Sequence, residues 1–325
     1  GLVQTRWAHL NRQFSLLTEL EGIVLDGHLQ IEQTARNRSG RFFNFNGTGG
    51  VWRRAAIEGA GGWQSDTLTE DLDISFRAQL AGWRFVYLPD VTSPAELPAD
   101  MNAYKTQQHH WTKGAAQTAR KLLGRVLTAA IPLHCKVEAA LQLTMNSAYI
   151  LVVLLCLLLL PAMRVRFERP WYAWLVVDLP VFVAATTSVL SFYAASQREI
   201  YPREWVGRLR YLPLVLSLGV GMALVNAKAY LEGLFGERGE FVRTPKAGIV
   251  GSEGSLEGKR YRPRRSIAPG AELLLGAWIA VVLGFAAREG RWLVVPLLAL
   301  FLFGLLYVGV LSLAHGRRTR AGVVA

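Results

Sequence analysis

Four apolar runs constrain this chain more than anything else in it. They cover about 143–161, 171–195, 271–287 and 291–313. Each approaches the roughly 20 residues that a helix needs to cross a bilayer. Backbone in lipid must satisfy its own N–H and C=O groups, so runs of this length read as helices. A fifth run, about 211–231, is apolar but carries Asn226 and Lys228. The loop 232–269 holds eight Lys and Arg residues against five glutamates. Orientation follows the Lys/Arg count, which places this loop, and the tail from Arg317 to Arg320, in the cytoplasm. A cytoplasmic domain ahead of the first run then needs an even number of crossings before the loop. The expectation is that 211–231 is re-entrant or interfacial. Asp178 lies inside the second run, either lining a pathway or serving as a cap near the interface.

The apolar residues concentrate after about Leu141, so the chain has two regimes. Overall, 51% of its 325 residues are hydrophobic and only 18% charged, with mean hydropathy +0.23. That leaves room for one small soluble domain, 1–112, and a membrane domain, 143–325. The stretch between them, 113–142, is basic and amphipathic. It reads as helices lying on the membrane surface, the alternative being a solvated helix on the soluble domain. A net charge of +12 suits cytoplasmic loops and lipid headgroups. The arginines are scattered around apolar segments and form no single patch, which argues against nucleic acid. Cys135 and Cys156 have neither metal-ligand spacing nor the look of a disulfide framework. With no Met, signal peptide or N-terminal membrane segment, the expectation is a fragment that begins in mid-domain.

Residues 1–112 read as mixed α/β. Gly1 to about Asn37 is polar and helix-compatible, with Leu16, Leu17, Leu20, Ile23 and Val24 at apolar positions. Arg41–Phe45 is strand-like, and Gly47, Gly49 and Gly50 break regularity after it. Arg53–Gly59 predicts a short helix. Thr69 predicts an N-cap, with Leu72, Phe76 and Leu80 at helical spacing and a stop at Gly82. Trp83–Leu88 predicts a strand ended by Pro89.

Three motifs point to chemistry. Asp71, in Thr69-Glu70-Asp71, sits where the positive end of a helix dipole favours an ionised carboxylate. Such a group can take a proton from an attacking hydroxyl. The plain alternative is that Glu70 and Asp71 only complement the dipole. In Gln107-Gln108-His109-His110-Trp111, the Trp offers a flat face for a sugar ring and the amides can hold hydroxyls. Trp111 could equally be a core anchor. Adjacent histidines rarely converge on one ion, and no third ligand is evident. In Phe42-Phe43-Asn44-Phe45-Asn46-Gly47-Thr48, alternation puts Phe on one face and Asn on the other. The competing reading is an ordinary core strand with a tight turn.

Taken in order with Val3-Gln4-Thr5-Arg6-Trp7 and Phe241-Val242-Arg243-Thr244-Pro245-Lys246, these motifs resemble the cellulose synthase-like membrane glycosyltransferases of family 2. The nearest branch looks like the glucomannan and xyloglucan-backbone synthases and their bacterial relatives. The resemblance implies a partial α/β GT-A domain followed by an α-helical transmembrane domain. It implies an inverting transfer of hexose from a UDP- or GDP-sugar to a growing β-linked polysaccharide. Asp71 would be the base. Glu70, Phe43, Asn46, Gly47, Gln107, Gln108, His110 and Trp111 would be substrate-binding positions. Phe241, Thr244 and Lys246 would belong to a gating loop, with Arg243 where the family has Val. Two departures stand out. The Asp-x-Asp motif that holds Mg2+ or Mn2+ on the donor diphosphate would lie upstream of Gly1, leaving no metal site in this chain. His110 replaces an Arg, a forked and permanent cation. A lipid acceptor, giving a glycolipid, and a non-catalytic membrane partner or translocation subunit are the alternatives. The expected location is the bacterial inner membrane, with the catalytic domain cytoplasmic and membrane lipids as partners.

Overall fold

The computed structural model describes residues 1–167, 172, 176, 179–236, 246–255 and 268–324. Asp178, Phe241, Arg243 and Thr244 lie outside them, as does most of the basic loop.

The first element is a strand, β1 (Leu2–His9), where the sequence reading expected helix. Leu2 and Gln4 are buried and Val3 is exposed, an alternation that β-sheet requires. β1 is central in a three-stranded sheet. It pairs antiparallel with β2 (Gly50–Trp52) and parallel with β3 (Phe85–Ala95). Pro89 does not end β3. The parallel register skips from Leu88 to Thr92 opposite Thr5 and Arg6, so the proline falls in a bulge, where a missing N–H is tolerated. The Arg6 Nε donates to the Pro89 carbonyl at 2.8 Å.

One long helical stretch follows β1. It comprises α1 (Leu16–Asp26), a π-helical segment (Gly27–Gln33) and α2 (Thr34–Arg38). Ser15 and Thr18 form a capping box at its start, satisfying orphan amides. The next segment, 41–46, is extended but belongs to no strand. Its backbone groups are met by side chains instead. Phe43 N–H donates to Gln79 Oε1 at 3.1 Å, and Gln79 Nε2 donates back to the Phe43 carbonyl at 2.9 Å. Phe45 N–H donates to Ser75 Oγ at 2.8 Å.

α3 (Arg54–Gly59) and α4 (Glu70–Leu80) fall where the sequence places them. α5 is continuous from Met101 to Thr128, so a boundary near residue 112 cuts through the middle of a helix. Asp100 caps it, accepting from the amides of Asn102 and Ala103. The basic side chains expected on a membrane surface are partly consumed inside the protein. Lys113 is buried, and Lys121 pairs with Asp66 at 2.8 Å and Asp73 at 2.9 Å.

The rest is helical: α6 (Leu133–Thr144), α7 (Ala148–Phe167), α8 (Leu179–Ile200), α9 (Trp205–Arg208), α10 (Leu212–Gly221), α11 (Ala223–Phe235), α12 (Ala268–Arg288) and α13 (Val295–Val324). Among the described residues, Leu133–Arg166, Leu179–Ile200, Pro269–Arg288 and Trp292–Gly316 are long and apolar enough to cross a membrane. The fifth apolar run falls on a broken helix, bent by 46° between Gly221 and Ala223, as in a broken span or a re-entrant loop. A small mixed sheet with its helices thus leads into a helical region with several apolar helices of spanning length.

Candidate active site

A cavity of about 360 Å³ lies where the sheet domain meets these helices. Asn46, Asp71, Gln108 and Trp111 all line it, although they come from a loop and two helices. Phe192 and Tyr193 of α8 and Tyr149 of α7 close another side.

Asp71 occupies the second residue of α4. Its Oδ1 accepts from the Leu72 N–H at 2.8 Å. Burial pushes the carboxyl up to about 7, the Leu72 amide opposes this, and the negative charge of Glu70 adds to it. A carboxylate poised near neutrality is suited to taking a proton. Ser75, one turn on, ties Asp71 to the Asn loop. Its hydroxyl donates to the Asp71 carbonyl at 2.5 Å while its Oγ accepts from Phe45 N–H. Gly47 lies against Asp71: a Cβ there would sit 3.2 Å from Asp71 Oδ2, and its φ is +79°.

α5 reaches the site through a glycine. A Cβ on Gly114 would lie 2.5 Å from the Thr69 side chain, so only glycine lets α5 pack against the start of α4. Leu68 N–H donates to Gln117 Oε1 at 2.9 Å, which locks the contact. The helix repeat then sets Trp111 and Gln108 on the cavity wall beside Asp71. Trp111 packs with Trp7 on Leu25, Leu29 and Leu97. Around the Asn loop, Gln142 Nε2 donates to Asn44 Oδ1 at 2.9 Å and Asn44 Nδ2 to Asn46 Oδ1 at 2.8 Å. The Asn46 side-chain nitrogen has no partner among the described residues.

Other predicted positions lie elsewhere. Phe43 is a core residue, edge-on to Phe85 and Tyr87 with ring centroids 5.7 and 6.0 Å away. It is fully buried because the inward face of an extended segment carries it beneath the sheet. Glu70 is exposed at the first turn of α4 and reaches the site only through its charge. Asp73, two residues past Asp71, is held by Arg77 at 2.6 Å and by Lys121. Gln107 does not line the cavity. His110 is buried beside His109, outside the cavity lining. Burial, then the charges of His109 and Lys113, lower its pKa and keep it neutral. His109 donates to Glu232 Oε2 at 2.9 Å. Lys246 donates to the Glu96 carbonyl, and the Glu96 carboxylate accepts from the amides of Ala247, Gly248 and Ile249 at 2.9, 3.1 and 3.2 Å. The last residue of the gating-type motif is thus tied down at the end of β3.

Residues 3–164 match the family described as Glycosyl transferase family group 2. The chain belongs to that family. It is 48% identical over 122 residues to a protein of Oryza sativa subsp. japonica named probable glucomannan 4-beta-mannosyltransferase 4, a match covering 38% of this chain and 22% of that one. Over 137 residues it is 44% identical to number 3 of the same series, covering 42% and 25%. Over 127 residues it is 48% identical to number 11, covering 39% and 22%. The chain spans about a quarter of the length of the curated relatives it matches. These matches agree with the cellulose synthase-like resemblance carried by the motifs. The relatives come from rice, and they lend no support to a bacterial inner membrane.

Within this family 2 chain, no three His, Cys, Asp or Glu side chains converge among the described residues. Divalent metals are general in such domains. The residues present here do not fit one, so no step is derived through a metal. The sequence reading missed the π-helical segment, although His28, Leu29 and Glu32 line the cavity. Burial raises the Glu32 carboxyl, but His28 at 2.8 Å and Arg36 at 3.3 Å outweigh it and hold Glu32 below its ordinary value. Gly27 is the available sequence signal: a Cβ there would lie 2.6 Å from the Phe192 ring. Only the packing of α8 gives that glycine its meaning.

Proposed function

We propose that this chain carries the acceptor side and the base of an inverting membrane glycosyltransferase, one that adds a hexose from a nucleotide sugar to a growing β-linked polysaccharide. Mannose, delivered as a GDP-sugar onto a β-1,4-linked chain, is the favoured donor and product, following the names of the rice relatives. A UDP-sugar is the other donor class.

The observation that carries this reading is the meeting of Asp71 and Trp111 on one cavity wall, beside aromatic side chains from helices of spanning length. The Trp111 ring would stack on the terminal acceptor sugar, with Asn46 and Gln108 meeting its hydroxyls. Asp71 would take the proton of the attacking hydroxyl. The new bond forms between that oxygen and the anomeric carbon. The bond from that carbon to the diphosphate breaks on the opposite face, and the nucleotide leaves with the electron pair. His110, neutral and outside the cavity lining, would not supply the permanent cation that an Arg supplies at its position.

The membrane placement is part of the same proposal. α6 leaves Leu133, Val137 and Leu141 exposed at helical spacing. Together they form a face fitted to rest in the lipid interface, with the sheet domain on the cytoplasmic side. The test is transfer by the intact protein reconstituted with GDP-mannose and a β-1,4-manno-oligosaccharide acceptor. Loss of transfer in Asp71→Asn, with acceptor binding retained, is the expected result. Transfer that is indifferent to that substitution removes the assignment. A single-sugar lipid product would favour the glycolipid alternative.

A further inference from the structure

Glu21 is a buried carboxyl that the mechanism above does not use. It lies on α1, is 1% exposed, and lines the same cavity as Asp71 and Trp111. Among the described residues, neither of its oxygens has a hydrogen-bond partner. Other buried carboxylates are engaged. Asp26 has Arg12, His9 and Gln197, Asp73 has Arg77 and Lys121, and Glu272 has Lys105. A buried polar group left without a partner is destabilising, so a protein that keeps one on a cavity wall has a use for it.

We propose that Glu21 is a positioning residue for the acceptor, holding a sugar hydroxyl against the wall formed by α1 and α5. This rests on the glycosyltransferase reading above. Its neighbours fit the role. Tyr104 of α5, Tyr149 of α7 and Tyr193 of α8 line the same cavity. Aromatic rings and a polar group lining one cavity complement a sugar ring and its hydroxyl. Burial pushes the Glu21 carboxyl well above the ordinary range, and Lys246 pulls it back in part. A neutral carboxyl both donates and accepts, as a hydroxyl partner needs. Leu17 and Leu20 on the same helix are core residues, so the helix that carries Glu21 is anchored.

The experiment is mannohexaose titration of the intact, detergent-solubilised protein, with steady-state transfer in parallel. Glu21→Gln keeps a donor and an acceptor and is expected to bind within about twofold of wild type. Glu21→Leu fills the space without either, and is expected to raise the acceptor KM and Kd about tenfold with kcat little changed. Wild-type affinity in Glu21→Leu, or no mannohexaose binding to the wild-type protein, overturns the proposal. Glu21→Ala is the second apolar variant. If neither apolar variant folds while Glu21→Gln does, the group is structural and the proposal falls. Asp71→Asn separates the two claims: transfer surviving in that variant defeats the functional reading, whereas the Glu21 claim is judged by the titration.

Discussion

At residue 71 two local forces oppose each other. The helix start favours the anion, but burial dominates and sets the carboxyl near 7. A base works ionised, so transfer should rise with pH through about 7 and level off above it. Asp71→Asn should lower kcat by about 10²–10⁴, abolish that pH limb and leave the circular dichroism unchanged. The stability sign runs the other way. The folded carboxyl titrates above its ordinary value of 3.8. Its contribution is therefore fully present below that value and is lost as pH rises through about 7. Thermal unfolding at pH 8 should show Asp71→Asn no less stable than wild type. The place of Asp71 at a helix start was legible in sequence, since a threonine followed by acids announces one, although Thr69 makes no side-chain cap hydrogen bond. The reason for Gly47 was not, because it depends on Asp71 Oδ2 lying 3.2 Å from where a Cβ would be. Gly47→Ala should cost about 1–2 kcal/mol through its left-handed φ, and should lower kcat more than it raises acceptor KM. Denaturant melts and steady-state rates would check both.

At the scale of elements, sequence pattern and structure part where side chains replace backbone partners. The alternation of Phe and Asn in 42–46 is real, and its apolar face is buried. Yet the hydrogen bonds go to Gln79 and Ser75 on α4 rather than to a strand. A glutamine and a serine 30 or more residues away carry no local sign of that role. β1 escaped notice because Gln4, Thr5 and Arg6 look helix-compatible. Gln4 is fully buried, however, and its Nε2 donates to the Thr48 carbonyl at 3.0 Å. The bounds of α4 were legible because Thr69 and Gly82 are local signals, although the Thr69 side chain makes no cap hydrogen bond. The placement of α5 beside it depends on Gly114, which sequence alone shows only as a mild helix weakener. Gly114→Val would drive a side chain into Thr69 and push the helix outward. It should destabilise by about 1–3 kcal/mol, with acceptor KM rising as Trp111 shifts. Thermal unfolding and acceptor kinetics together would tell this from a purely local strain, which would leave KM alone.

Across the whole molecule, the sheet domain and the apolar helices are joined by buried charge rather than by a flexible tether. Lys105 on α5 meets Glu272 on α12 at 2.6 Å. His315 on α13 pairs with Asp100 at 3.2 Å. The densest junction is at Arg12, which binds Asp26 at 2.5 Å, Gln197 at 2.9 Å and the Tyr201 hydroxyl at 2.8 Å. Gln197 also donates to Asp26 at 3.0 Å, so α1 and α8 share one polar cluster. Burial alone would raise the Asp26 carboxyl, but His9, Arg12 and Gln197 outweigh it and hold it below its ordinary value. A depressed carboxyl contributes stability above its unfolded value, and that stability is lost as pH falls through the folded one. Removing one member of a buried pair strands the other. Arg12→Met should therefore destabilise by about 3–5 kcal/mol, and should weaken the acid-dependent part of the unfolding curve. Replacing both Arg12 and Asp26 with apolar residues of similar volume should recover much of that loss, because no charge is then left alone. Because Gln197 and Tyr201 belong to the other side of the junction, the single variant should also loosen α8 from α1. Its signature would be earlier proteolysis of the sheet domain at temperatures where the helical region stays intact. Simultaneous loss of both parts would show that the two halves unfold as one unit even without this cluster.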